Sequence, residues 1–127
     1  MILRYLLFDY SEDELGHGSF DAMASAAAAQ RPALEAELAA VLRWAHRSFP
    51  EGPRALEEGG EWDFAVQGVL ETPQPLSVSF DAGTGALALR AEAPGAPRTT
   101  VDFTLTGSPG FCAAFRRAFH LDPLEPP

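Results

Sequence analysis

The feature that most constrains this chain is a series of short runs in which apolar and polar residues alternate with period two. Trp62, Phe64, Val66 and Leu70 alternate with Asp63, Ala65, Gln67 and Glu71, and Leu76, Val78 and Phe80 with Ser77, Ser79 and Asp81. Leu87 and Leu89 then alternate with Ala86, Ala88 and Arg90, and Val101, Phe103 and Leu105 with Thr100, Asp102 and Thr104. Such alternation marks strands with one face buried. Parallel neighbours need a crossover of about a dozen or more residues, and the links here are much shorter. The four runs are therefore expected to be antiparallel. The glycine-bearing loop from Asp81 to Gly85 predicts a hairpin between the second and third, and Pro94–Pro97 predicts another turn. In this register Phe80 and Phe103 face the core, while Ser79 and Asp102 face away.

Two segments switch to helical spacing. Over Pro32–Phe49, Leu34, Leu38, Val41, Leu42, Ala45 and Phe49 fall on one stripe. Pro32 sits near the start, where its missing N–H is harmless. Glu35 and Glu37 lie toward the positive end of the dipole, and Arg43 and Arg47 toward the negative end. Ser108-Pro109-Gly110 announces a second helix, with Ser108 as N-cap and Phe111, Phe115 and Phe119 at every fourth position.

The N-terminal run Ile2–Tyr10 reads as a strand with apolar residues on both faces, hence one with neighbours or cover on each side. Ser19–Ser25 alternates Phe20, Ala22 and Ala24 against Asp21, Met23 and Ser25, which suits a return strand, although its alanines suit a helix. The hairpin is preferred, because a two-faced strand needs partners. The expected class is therefore α+β: a single antiparallel sheet of five or six strands with two amphipathic helices on one face, in the order β(β)αββββα. The whole is read as one domain over residues 1–121, followed by a proline-rich tail over 122–127.

Charge excludes some partners. The formal net charge is −9 and every basic side chain is arginine, so the chain repels polyphosphate and anionic lipid surfaces. Neither nucleic acid nor membrane is an expected partner. Met1–Tyr10 is too short, and too soon followed by acids, for a signal peptide. No run approaches the roughly 20 apolar residues that span a bilayer. With Cys112 as the lone cysteine, no intrachain disulfide can form, and a cytoplasmic location is expected. The absence of lysine and asparagine beside abundant alanine, glycine, proline and arginine points to a GC-rich, bacterial gene.

Candidate chemistry is sparse. His17 lies among Glu12, Asp13, Glu14 and Asp21, a group with metal-ligand character. Counted from Asp9, however, position six is Glu14 where an EF-hand needs glycine, and a solvated loop is the better reading. Cys112 and His120 lie eight residues apart, roughly 12 Å along a helix axis, beyond hydrogen-bond reach. Cys112 therefore reads as a core residue, with His46 left as the histidine that tertiary structure could bring to either. Glu57, Glu58, Glu61 and Asp63 read as a wet loop, and Gly16-His17-Gly18 and Gly83-Thr84-Gly85 lack the strand–loop–helix setting of a phosphate cradle. No catalytic, cofactor-binding or metal residue is assigned, and no cofactor is expected.

Two function classes follow. The preferred one is a protein-interaction or self-associating module, whose partner is a second copy or another protein. The other is a small enzyme or ligand-binding domain with its site between the sheet and its loops, using His17 or His46. With both helices on one sheet face, Leu3, Tyr5 and Leu7 are the candidate interface residues on the opposite face, beside Ala65, Val69, Ala86 and Ala88. The competing expectation is a central first strand whose second face is covered by residues 19–30.

Overall fold

A computed structural model of the chain describes residues 1–121; the tail at 122–127 lies outside them. The elements are β1 (Asp9–Glu12), β2 (Gly18–Ala27), α1 (Arg31–Ser48), a 3-10 turn (Leu56–Glu58), β3 (Trp62–Glu71), β4 (Leu76–Asp81), β5 (Ala86–Ala91), β6 (Arg98–Gly107) and α2 (Pro109–Ala118). The α+β class, the two helices and the antiparallel pairing are as expected. The single sheet of five or six strands is not. A four-stranded sheet in the order β1-β2-β6-β3 stands beside a separate two-stranded ribbon of β4 and β5. The reason lies in the links: Pro73 and Pro75 precede β4, and Pro94 and Pro97 precede β6. Proline has no amide to give a ladder, so the pairing of β3 with β6 cannot run on into that of β4 with β5.

The alanine-rich segment after Gly18 is a strand, as the hairpin reading required. It pairs with β1 on one side and along its whole length with β6 on the other. Two ladders outweigh a helix propensity worth a few tenths of a kcal/mol per residue. Ala22, Ala24 and Ala26 are buried on the face toward α1, where small side chains let the helix approach. Beside them Phe20, Leu105 and Phe64 share one row across the sheet. Both helices pack on this face. Trp44 of α1 touches Phe111, Phe115 and Phe119 of α2, and Phe111 lies parallel to Trp62, with ring centroids 5.7 Å apart. At the sheet's end Gly18 and Gly107 are register partners. A Cβ on Gly18 would come within 2.6 Å of Cys112 Sγ, and one on Gly107 would overlap the Phe111 ring, so their bare backbones seat α2.

The N-terminus departs from expectation. Only Asp9–Glu12 forms a strand, and residues 1–8 run as irregular chain. Leu3, Leu6 and Phe8 enter the core while Ile2 and Leu7 stay exposed, a spacing of three and two that no strand alternation produces. Glu37 of α1 holds this segment. Glu37 is only 5 % exposed, and its carboxylate accepts hydrogen bonds from the amides of Arg4 (2.8 Å), Tyr5 (3.0 Å) and Leu6 (3.1 Å). A carboxylate satisfies three amide donors where a strand neighbour would have supplied carbonyls.

Candidate interaction surface

The β4–β5 ribbon is built by local chemistry at both ends. At its tip, Asp81 Oδ1 accepts from the Gly83 amide (2.8 Å), the Asp81 carbonyl accepts from the Gly85 amide (2.7 Å), and Gly85 takes φ 73°. Glycine adopts that left-handed conformation without penalty, and aspartate caps the turn with its side chain. At its base, the Pro73 carbonyl accepts from Gly95 (2.7 Å), the Pro75 carbonyl accepts from Glu92 (2.9 Å), and Gln74 Nε2 donates to the Glu92 carbonyl (3.2 Å). The ribbon therefore leaves the sheet as an ordered arm, about 20 Å long at roughly 3.3 Å per residue.

The arm's two faces differ completely. Leu76, Val78 and Phe80 stand opposite Ala91, Leu89 and Leu87, so all six lie on one face. The other face carries Ser77 opposite Arg90, Ser79 opposite Ala88 and Asp81 opposite Ala86. The five large apolar residues are 56–65 % exposed. Phe80, expected in the core, is on this open face; of the nine phenylalanines it alone lies outside the core and its immediate packing. Phe103, by contrast, is buried as expected.

Beside the base of the arm the body is also open. Past Phe64, β3 loses its cover: Val66 and Leu70 point toward the helix layer yet are 45 % and 64 % exposed. Between β3 and the first turns of α1 lies a groove of about 370 Å³, whose walls include Leu34, Leu38, Gly68, Leu70 and Val101. A Cβ on Gly68 would meet nothing nearer than 4.0 Å, which leaves the groove floor low. Arg31 and Glu35, 3.9 Å apart, stand at its rim.

The opposite sheet face is only in part the apolar surface expected: Ala65 and Val69 of β3 lie on it as expected, with Val69 half exposed. The face also carries Asp21, Met23 and Ser25 of β2 and Thr100, Asp102 and Thr104 of β6, with Thr104 Oγ1 donating to Asp21 Oδ1 (2.6 Å) and Arg98 Nε to Ser25 Oγ (3.1 Å). Leu3, Tyr5 and Leu7 do not share it: Leu3 is in the core, Tyr5 packs half-buried against it, and Leu7 is exposed. Ala86 and Ala88 have left the sheet with the arm.

The titratable groups are dispersed. Cys112 is 2 % exposed and its Sγ donates to the Gly107 carbonyl at 3.5 Å rather than meeting a histidine. Burial pushes the thiol pKa up, an effect the Gly18 backbone and the Arg116 charge only partly oppose. Tyr10 is likewise pushed up, first by desolvation and then by its hydrogen bond to Glu12, although the Arg116 guanidinium lies 4.0 Å over its ring. His17 sits 3.4 Å from Asp13 in an open groove of about 260 Å³, and His46 is exposed with its ring edge on Trp62. A cleft of about 430 Å³ at the end of α1 is bordered by Phe49, Arg54 and Glu61. Among the described residues no three His, Cys, Asp or Glu side chains converge as a metal site, and no helix is long and apolar enough to cross a membrane. No family model matches this chain, and neither the curated proteins nor the solved structures contain a match to it.

Proposed function

We propose that this chain is a protein-interaction module that binds through the apolar face of its β4–β5 arm, in the cytoplasm of a bacterium. The observation that carries this reading is five large apolar side chains, 56–65 % exposed, aligned on one face of a ribbon that makes no extensive contact with the other described elements. Contiguous apolar surface of that size is uncommon on monomers and marks recognition sites. The polar opposite face and the four prolines at the base keep the ribbon solvated, extended and poorly suited to indiscriminate strand pairing. The lone free cysteine and a composition rich in alanine, glycine, proline and arginine without lysine or asparagine fit the proposed compartment and source.

The test is a photo-crosslinking amino acid placed at Phe80, in the cell that makes the protein, with the same substitution at Glu14 in the acidic loop as control. Position 80 is expected to yield a discrete protein adduct absent from position 14. Equal labelling at both positions would end the interaction reading.

A further inference from the structure

We infer that the arm's partner is a second copy of this chain, with the arm of each protomer lying in the α1–β3 groove of the other; the inference rests on the arm being an interaction surface. Val66, Gly68 and Leu70 share one face of β3, with Val101 across from Gly68, and Leu76, Val78 and Phe80 share one face of β4, with Leu89 and Leu87 across from Val78 and Phe80. Groove wall and arm thus each present apolar side chains, and a two-fold axis relating two copies would bring arm to groove twice over.

The area fits a second copy. At on the order of 100 Å² for each exposed large side chain, the five on the arm with Val66 and Leu70 present roughly 700 Å² per protomer, against about 800 Å² per partner in a standard interface. The charge distribution fits as well. Residues 67–101, which hold the arm, its base and most of the groove's strand side, contain Glu71, Asp81 and Glu92 against Arg90 and Arg98, a net −1 of the chain's −9. The acids cluster instead in the β1–β2 loop and around the 3-10 turn, at the other end of β3 (Glu12, Asp13, Glu14, Glu57, Glu58 and Glu61). Two strongly acidic copies can therefore meet arm-end to arm-end with little repulsion.

A charge-swap pair tests the geometry, because Phe80 and Leu70 are exposed and their replacement leaves the core intact. Wild type, Phe80→Arg, Leu70→Glu and an equimolar mixture of the two variants are run through size exclusion with light scattering, with circular dichroism as the folding control. The wild type is expected at twice the chain mass, each variant alone at the monomer mass, and the mixture back at the dimer mass. In the mixture, one arm–groove contact sets the introduced arginine against the introduced glutamate, and the other contact is wild type. A dimer lost in Phe80→Arg but kept in Leu70→Glu, or not restored by mixing, means that arms pack on arms, which overturns the groove and leaves the interaction reading standing. A wild type that stays monomeric at millimolar concentration overturns the second copy, and the crosslink at position 80 then decides whether another protein takes its place. A dimer indifferent to Phe80→Arg overturns the arm as the contact between copies, and the crosslink at position 80 then decides whether another protein takes the arm.

Discussion

Replacing Glu37 by alanine removes the acceptor for three consecutive amides, and the structure sets how much that costs. Hydrogen bonds to a charged group contribute about 1.5–3 kcal/mol each, and a buried donor left without a partner costs about 1–3 kcal/mol. The three are not equivalent. Leu6 is 1 % exposed and Tyr5 is half-buried, whereas Arg4 is exposed and its amide can turn to water. Two donors are therefore stranded, and part of the loss is offset because the carboxylate no longer has to be buried. The expected cost is about 2–4 kcal/mol, a large share of the roughly 5–15 kcal/mol typical of a domain. Glu37→Gln separates acceptor from charge. The Tyr5 and Leu6 amides both donate to Oε1, which the amide oxygen can replace, while Arg4 donates to Oε2, where the new NH2 would oppose it. Glutamine should therefore cost about 1–2 kcal/mol. Urea titration followed by circular dichroism gives both values, and hydrogen exchange at the Leu6 amide should quicken in the alanine variant. The reasoning is refuted if alanine costs less than about 1 kcal/mol, if glutamine costs as much as alanine, or if Leu6 keeps its protection.

Two further outcomes follow from burial. Phe80→Ala should change the unfolding free energy of the monomer by no more than about 0.5 kcal/mol, whereas Phe103→Ala should cost about 3–5 kcal/mol; equal effects in a denaturant titration would mean that the arm packs on the body. Cys112 should react slowly with a thiol reagent in the native protein and rapidly after unfolding. Because burial raises its pKa, the folded state keeps the proton longer than the unfolded chain does. That contribution to stability is whole below the ordinary thiol value of about 8.5 and declines as pH rises through the raised native value. A Cys112→Ala variant should flatten that alkaline decline, and an unchanged slope would assign it to other groups.

Much of the local structure was legible because it depends on neighbours a few residues away. The stripe Leu34–Leu38–Val41–Ala45 specified α1, Ser108-Pro109 specified the start of α2, and Asp81–Gly85 specified the arm's hairpin. Glu37 was half legible: three residues after Leu34 and four before Val41, it occupies a buried stripe position. The amides it serves lie 31–33 residues away in a segment whose apolar residues imitate a strand. Residues 19–25 carried two readings because alanine suits either conformation, and the ladders with β1 and β6 decided between them.

Alternation told which residues share a face, but not whether that face would meet another. Leu76, Val78 and Phe80 alternate as cleanly as Val101, Phe103 and Leu105. The second set is flanked by β2 and β3 under two helices, while the first is cut from the sheet by prolines and left open. A strand's apolar face follows from period two in its own residues; its burial requires a second surface delivered by distant chain, and only the tertiary structure says where that surface is missing.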